Sequence, residues 1–347
     1  MASPERMAVR IATLAVFAFA LAFPFFASGY RLYQGSQALI YAIALIGLNL
    51  LTGFNGQISL GHGAFFAIGG YGVAILTVKL GLSYWLAIPV SAVVCFGAGF
   101  LFGFPALRFG GLYLALATFA LAVATPQILT YKGIDAWTGG SSGVLLAKPA
   151  APFGLPLNAD QWQFLLCLFC AALLYWAATN LAHGRVGRAL IAIRDQPIAA
   201  ETMGVNAALY KTMCFGVSAL YAGVAGGLSA LTVGFVSPES FTLALSLSFL
   251  VGIVVGGLAS LPGALFGALF IQFVPNFADG LSVTFGESAK ALPGAIYGAL
   301  LILIMAAMPM GVAGFLWSLF RAATRVAGFA GEQADGVVVA RTTKTGG

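Results

Sequence analysis

Ten stretches of about 20 mostly apolar residues divide this chain, and no other feature restricts its fold as strongly. They run roughly over 10–29, 36–52, 58–78, 84–104, 111–130, 161–181, 211–233, 241–258, 262–277 and 291–309. A segment of that length crosses a bilayer as an α-helix, which satisfies its own backbone where no water can do so. Only 7% of the 347 residues are charged and 61% are apolar, against roughly 25% charged in a soluble domain. Too few charges are present to cover a water-facing surface. The 45 glycines suit helices that approach closely inside lipid. The expected fold class is all-α: a polytopic membrane protein of about ten transmembrane helices, occupying residues 1–320.

The first run follows Arg6 and Arg10 and is longer than the apolar region of a secretory signal, so it reads as a retained first span. The eighth and ninth runs are divided only by 256–263, GGLASLPG, which resembles a broken or re-entrant helix. With the N-terminus inside and spans alternating, 11 of the 16 Lys and Arg residues fall on the cytoplasmic side and 5 outside. That bias fits the positive-inside rule and an N-in, C-in arrangement. It also accounts for the net charge of +6 without nucleic acid, because the basic residues are scattered through short inter-span segments.

Two connections are long: an extracytoplasmic loop at 131–160 and a cytoplasmic one at 182–210. The polar tail over 321–347 has no apolar period and is expected to be disordered. Residues 56–71 (GQISLGHGAFFAIGGY) and 256–270 (GGLASLPGALFGALF) share a Gly-small-Gly-aromatic rhythm. Two readings fit: an internal inverted repeat, common in transporters, or the mutual likeness of Gly-rich spans.

Three segments carry polar chemistry. The first holds Asn49, Asn55, Gln57, Ser59 and His62 among glycines. Such groups in lipid must be satisfied internally or face a watery path, so they are candidates for the translocation pathway, with a helix break at Gly53–Gly56. The alternative is a turn and a tightly packed helix, and for His62 alone a structural role is the expectation. The second is the charged loop, in which Gly187, Arg188, Ala192, Arg194, Pro197, Ala199, Ala200, Glu201 and Gly204 are candidates for docking a cytosolic partner. Pro197 can open a short helix, and Gly204 and Asn206 can end it. A short helix standing out of a membrane domain suits such docking. The third, Ser237-Pro238-Glu239-Ser240, reads as a helix start.

No phosphate-binding Gly-x-x-x-x-Gly-Lys-Ser/Thr run occurs, nor a metalloprotease or serine-hydrolase motif. Cys167 and Cys170 form a CxxC with no second pair or nearby His, and read as small residues on one helix face. No acid sits in mid-span, as ion-coupled carriers usually require. A self-sufficient channel or secondary carrier is the alternative from another class, with an intramembrane enzyme behind it. Without mid-span charge, the expected solute has no net charge.

The run NLLTGFNGQISLGHGAFFAIGGY at 49–71, PALRFGGLYLALATFA at 105–120, WTGGSSGV at 137–144, GRALIAIRDQPIAAETMGVNAALYK at 187–211 and the Gly-rich stretch 222–270 occur in an order that resembles the LivM-type permease subunit of branched-chain amino acid importers of the ATP-binding-cassette class. The likeness covers about 36–310. Ser142 stands where that family often has an acid, and 308–312 (MPMGV) departs from its usual Pro-x-Gly-Leu ending. The resemblance implies two cytosolic ATPase subunits, a homologous LivH-type permease, an extracytoplasmic solute-binding protein and a bacterial inner-membrane location. It implies that 187–206 couples to the ATPases, that ATP is bound by partners rather than by a cofactor site here, and that transport proceeds by alternating access. Relatives with this pattern also move urea or short amides, so the solute stays open.

Overall fold

The computed structural model describes residues 18–106, 111–152, 156–285, 292–308 and 311–318. Residues 10–17 of the first apolar run and the tail over 321–347 lie outside the described residues. The described chain is almost wholly helical: α1 (18–26), α2 (Gly29–Asn49), α3 (His62–Val78), α4 (Tyr84–Ala106), α5 (Leu112–Leu129), a short α6 (Asp135–Thr138), α7 (Ala159–His183), α8 (Arg185–Asp195), α9 (Pro197–Thr202), α10 (Ala207–Val233), α11 (Leu243–Gly256), α12 (Leu261–Phe285), α13 (Leu292–Ala307) and α14 (311–318). Among the described residues 6 helical segments are long and apolar enough to cross a membrane: Gly29–Phe54, Tyr84–Phe104, Ala159–His183, Ala207–Val233, Pro238–Gly256 and Gly298–Ser318. Three shorter apolar helices accompany them at His62–Val78, Tyr113–Leu129 and Leu261–Phe277.

Helix α10 is the axis of the bundle and packs on α2, α3 and α4, with α12 and α7 also packed on α2 and α7 hydrogen-bonded to α10. Bare backbone makes the closest of these approaches possible. A methyl group on Gly69 of α3 would strike the Gly223 backbone of α10, and one on Gly226 would strike the Phe66 carbonyl of α3. The antiparallel α11–α12 pair meets in the same way, Gly256 against Gly263 and Gly267 against Gly252. Without water, helices associate through such close van der Waals contact rather than through the hydrophobic effect.

Contacts sort the connections between two ends of the bundle. At one end, β1 (Val144–Leu145) pairs antiparallel with β2 (Phe235–Val236), fastening the long loop to the end of α10. There also Gln161 Nε2 donates to the Pro24 carbonyl at 3.0 Å, Lys148 pairs with Asp160 at 2.9 Å, and Trp85 packs on Trp162. Asn158 and Gln161 form a reciprocal cap that starts α7. The opposite end gathers the end of α2, the α8–α9 loop and the α11–α12 connection. The Gly-rich segments 56–71 and 256–270 each lead into a helix that runs toward the β1–β2 end: α12 from beside Asn49, and α3 from within the bundle, where His62 bonds Ala44 and Gly63 bonds Ser246. The two helices therefore run in the same direction. An inverted relation between these two segments is ruled out, since an inverted pair would run in opposite directions.

The helix start expected at Ser237–Ser240 takes the form of a 3-10 turn over Pro238–Ser240, with Pro in its first position, two residues before α11 begins. All four cysteines are free, Cys167 and Cys170 included.

Candidate functional site

Helix α2 does not end as an ordinary helix. Its last turn, Leu50–Phe54, widens into a π turn, with Asn55 N donating to the Leu50 carbonyl and Gln57 N to that of Leu51. A π turn spaces its bonds one residue further apart and is common at functional positions. Gly53 is the next-to-last residue of this turn, and its carbonyl, like the others at a helix end, has no partner in its own helix. The chain is then non-helical from Gly56 to Gly61 before α3 begins at His62. The break expected at Gly53–Gly56 is thus a π turn followed by a non-helical run.

Such non-helical backbone inside a bundle has to be satisfied largely by side chains, and five bonds of this kind are made, while the buried Asn55 Oδ1 has no partner among the described residues. The Thr52 hydroxyl donates to the Gln57 carbonyl at 3.0 Å. Leu60 N donates to the Thr118 hydroxyl of α5 at 2.9 Å, and Gly63 N to the Ser246 hydroxyl of α11 at 3.0 Å. Asn55 Nδ2 donates to Gln57 Oε1 at 2.7 Å, and Gly61 N to the Ser59 hydroxyl at 3.4 Å. His62 is 1% exposed, and its Nε2 donates to the Ala44 carbonyl of α2 at 2.9 Å. It holds α3 to α2, the structural role expected for it.

Asn49 is 0% exposed and serves a different break. Its Nδ2 donates to the Ser260 carbonyl at 2.8 Å and to that of Gly257 at 3.4 Å, while its Oδ1 accepts from Ala259 N at 2.9 Å. These three bonds support the unwound α11–α12 connection, where Ala259 takes φ 56, uncommon for any residue with a Cβ. Asn49 is therefore placed as the support of a neighbouring turn, apart from Asn55, Gln57 and Ser59, which lie together in the non-helical run. Gly56 and Ile58 of that run are exposed.

The charged loop folds into α8 and α9. Helix α8 lies against the bundle through Gly187, Leu190 and Ile193. A Cβ on Gly187 would strike the Ala182 backbone at the end of α7. Pro197 occupies the first turn of α9. Ala200, a candidate for the docking face, is buried with Ile193 and Ala207 and braces the loop from within. Arg188, Ala192, Pro197, Ala199, Glu201 and Gly204 are exposed. Gly204 takes φ 85 just beyond α9, as expected for a helix stop. Asn206 does not help to end α9. Its side chain accepts from Leu209 N at 3.0 Å and starts α10 instead. The most exposed apolar side chains of the loop are Ile198 at 79%, in the first turn of α9, and Met203 at 84%, just beyond its end.

Arg194 joins the two regions. Its Nη1 donates to the Gly53 carbonyl at 2.7 Å, and its Nε to Asp195 Oδ1 at 2.8 Å. A cation at the C-terminal end of α2 also suits the helix dipole. Sequence reasoning missed Thr118, Ser246 and this Arg194–Gly53 bond. The isolated Thr and Ser in apolar helices are the signals for the first two.

A helical bundle with interrupted spans, apolar faces of membrane-spanning length and a helical loop at one end defines a polytopic membrane protein of the permease class. Residues 32–325 match the family described as branched-chain amino acid transport system / permease component. The chain belongs to that family. It is 34% identical over 270 residues to the high-affinity branched-chain amino acid transport system permease protein LivM of Salmonella typhimurium, a match covering 71% of this chain and 63% of that one. LivM of Escherichia coli is 32% identical over 281 residues, covering 74% and 66%. LivH of Salmonella typhimurium, a permease protein of the same kind of system, is 24% identical and matched over 79% of this chain and 91% of its own length. The chain spans less than two thirds of the length of the two LivM relatives.

Proposed function

We propose that this chain is the LivM-like permease subunit of an ATP-binding-cassette importer in a bacterial inner membrane, moving branched-chain or similar neutral amino acids by alternating access. Two cytosolic ATPase subunits would drive it, a homologous LivH-like permease would complete the pathway, and a solute-binding protein would deliver the solute from outside. ATP is bound by the partner subunits, and no cofactor belongs to this chain. The α8–α9 end then faces the cytoplasm, and the β1–β2 end faces out.

The observation that carries this reading is the construction of the α8–α9 loop. One face is clamped to the bundle through Gly187, Leu190 and Ile193, while Ile198 and Met203 stand out at its tip. Exposed apolar anchors on a braced element are the form of a docking site. Ile198→Asp combined with Met203→Asp should leave the chain in the membrane, abolish co-purification of the ATPases and reduce uptake at least tenfold. Full retention of the ATPases by this double variant sinks the docking role.

A neutral solute is supported by the charge pattern. Within the candidate spans the charged residues are Arg31, Asp160, Lys211 and Glu239, all in the first five positions of a span. A lone ion in a low-dielectric path lacks a compensating charge, which costs several kcal/mol. The exposed backbone at Gly56 and Ile58 is suited to transient hydrogen bonds with such a solute. The reconstituted importer should take up leucine, with urea or a short amide as the second choice, in preference to glutamate or lysine. Robust transport of glutamate or lysine with leucine and urea inert overturns this.

A further inference from the structure

We infer that Arg194 is the positioning residue through which the α8–α9 loop controls the π turn at the end of α2 and, through it, the α11–α12 break. This rests on the importer reading above and names a single bond inside it.

Three observations combine. First, the Gly53 carbonyl, at the end of the π turn, is unbonded within its own helix, and Arg194 Nη1 takes it at 2.7 Å. Second, the arginine is held in place from both sides. Asp195 accepts from its Nε at 2.8 Å. Its aliphatic stem lies over Gly56, where an added Cβ would come within 2.7 Å of Arg194 Cγ and where φ is 75. Third, Gly53 leads directly to the other interrupted region. A Cβ there would strike Asn49 Oδ1 and the Ala259 backbone, the two groups bonded to each other at 2.9 Å. The path from the loop to the α11–α12 break is therefore Arg194, Gly53, Asn49 and Ala259, in continuous contact.

The element with two arrangements is the π turn. With Arg194 in place its carbonyl has a charged donor, and charge-assisted bonds are about twice as strong as neutral ones. If the loop moves and withdraws the guanidinium, the carbonyl has to find a partner by rewinding the turn. Rewinding shifts the register of the residues that follow, which include Asn55 and Gln57. Movement of the loop is thereby converted into a change along the non-helical run that leads to α3. A linkage of this kind needs such a two-state element rather than mere proximity.

The test uses the whole complex of permeases, ATPases and binding protein in proteoliposomes. Arg194→Met should lower the solute moved per ATP at least tenfold, read on complexes matched for the amount of bound ATPase. Arg194→Lys, which keeps the charge and the stem, should recover part of that ratio, and it carries the test should Arg194→Met reduce yield. Hydrogen exchange of residues 50–57 should change between the nucleotide-free and ATP-trapped states of the wild-type complex and lose that change in Arg194→Met. A wild-type transport ratio together with a wild-type exchange response in both variants overturns the linkage alone. Failure of the wild-type chain to hold any ATPase overturns the importer reading and the linkage together.

Discussion

Replacing Gly226 by Val should remove the folded protein. The Cβ of any side chain at 226 meets the Phe66 carbonyl and comes within 3.0 Å of the Gly70 amide, both of which are backbone and cannot turn aside. Helices α3 and α10 would have to part along the seam formed by Gly69, Gly70, Gly223 and Gly226. Over-filling a close-packed interior costs about 1–3 kcal/mol per site, and occasionally more. Here α10 is the axis on which α2, α3 and α4 all pack, so the upper end of that range is expected. Size-exclusion chromatography and thermal unfolding in detergent read the outcome: little monodisperse protein, or a strongly lowered midpoint. Gly97→Val is the control, because a Cβ at Gly97 meets nothing within 4 Å. A Gly226→Val variant as stable as Gly97→Val would show that the seam is not close-packed.

Asn49→Leu should be nearly as damaging, for a different reason. Volume is almost kept, but Ala259 N and the carbonyls of Gly257 and Ser260 lose their partner. A buried polar group left unsatisfied costs about 1–3 kcal/mol, so three together come to about 3 kcal/mol or more. The damage should be local. Hydrogen exchange over 257–263 should speed up about tenfold or more while α10 stays protected. Ser248→Ala, which removes only a hydroxyl bonded to its own helix at Ala244, should change little. Unaltered exchange over 257–263 in Asn49→Leu would mean that the turn is held by something else.

The helical, membrane-spanning character was legible because length and hydropathy register directly what lipid demands of a backbone. The α8–α9 loop was legible too, since its signals are local: Pro197 opens a helix and Gly204 closes it. What could not be read was the choice among partners. By propensity Leu50-Leu51-Thr52-Gly53-Phe54 can simply continue α2. The Gly53 carbonyl of the π turn takes its hydrogen bond from Arg194, 141 residues away. Asn49 and His62 stand out in the sequence as polar groups among glycines, and both are satisfied by backbone carbonyls that no local pattern reveals. Ala200 and Ile198 sit two positions apart in one short helix, and only the phase of its packing on Ile193 and Ala207 puts the first inside and the second outside. The parallel sense of the two Gly-rich segments likewise depends on the direction each helix takes through the bundle.

The support that Asn49 gives to the α11–α12 break has a consequence for synthesis. Its three partners lie 208–211 residues further along the chain. A ribosome adds about 5–20 residues each second, so the amide waits about ten seconds or longer in the membrane before the groups it serves have been made. The seam of α3 waits likewise for Gly223 and Gly226 of α10. During that interval the early spans carry polar groups and bare backbone without their final neighbours. Assembly of this permease can finish only near the end of translation, and a chain cut short before residue 257 leaves Asn49 without the partners it has in the finished fold.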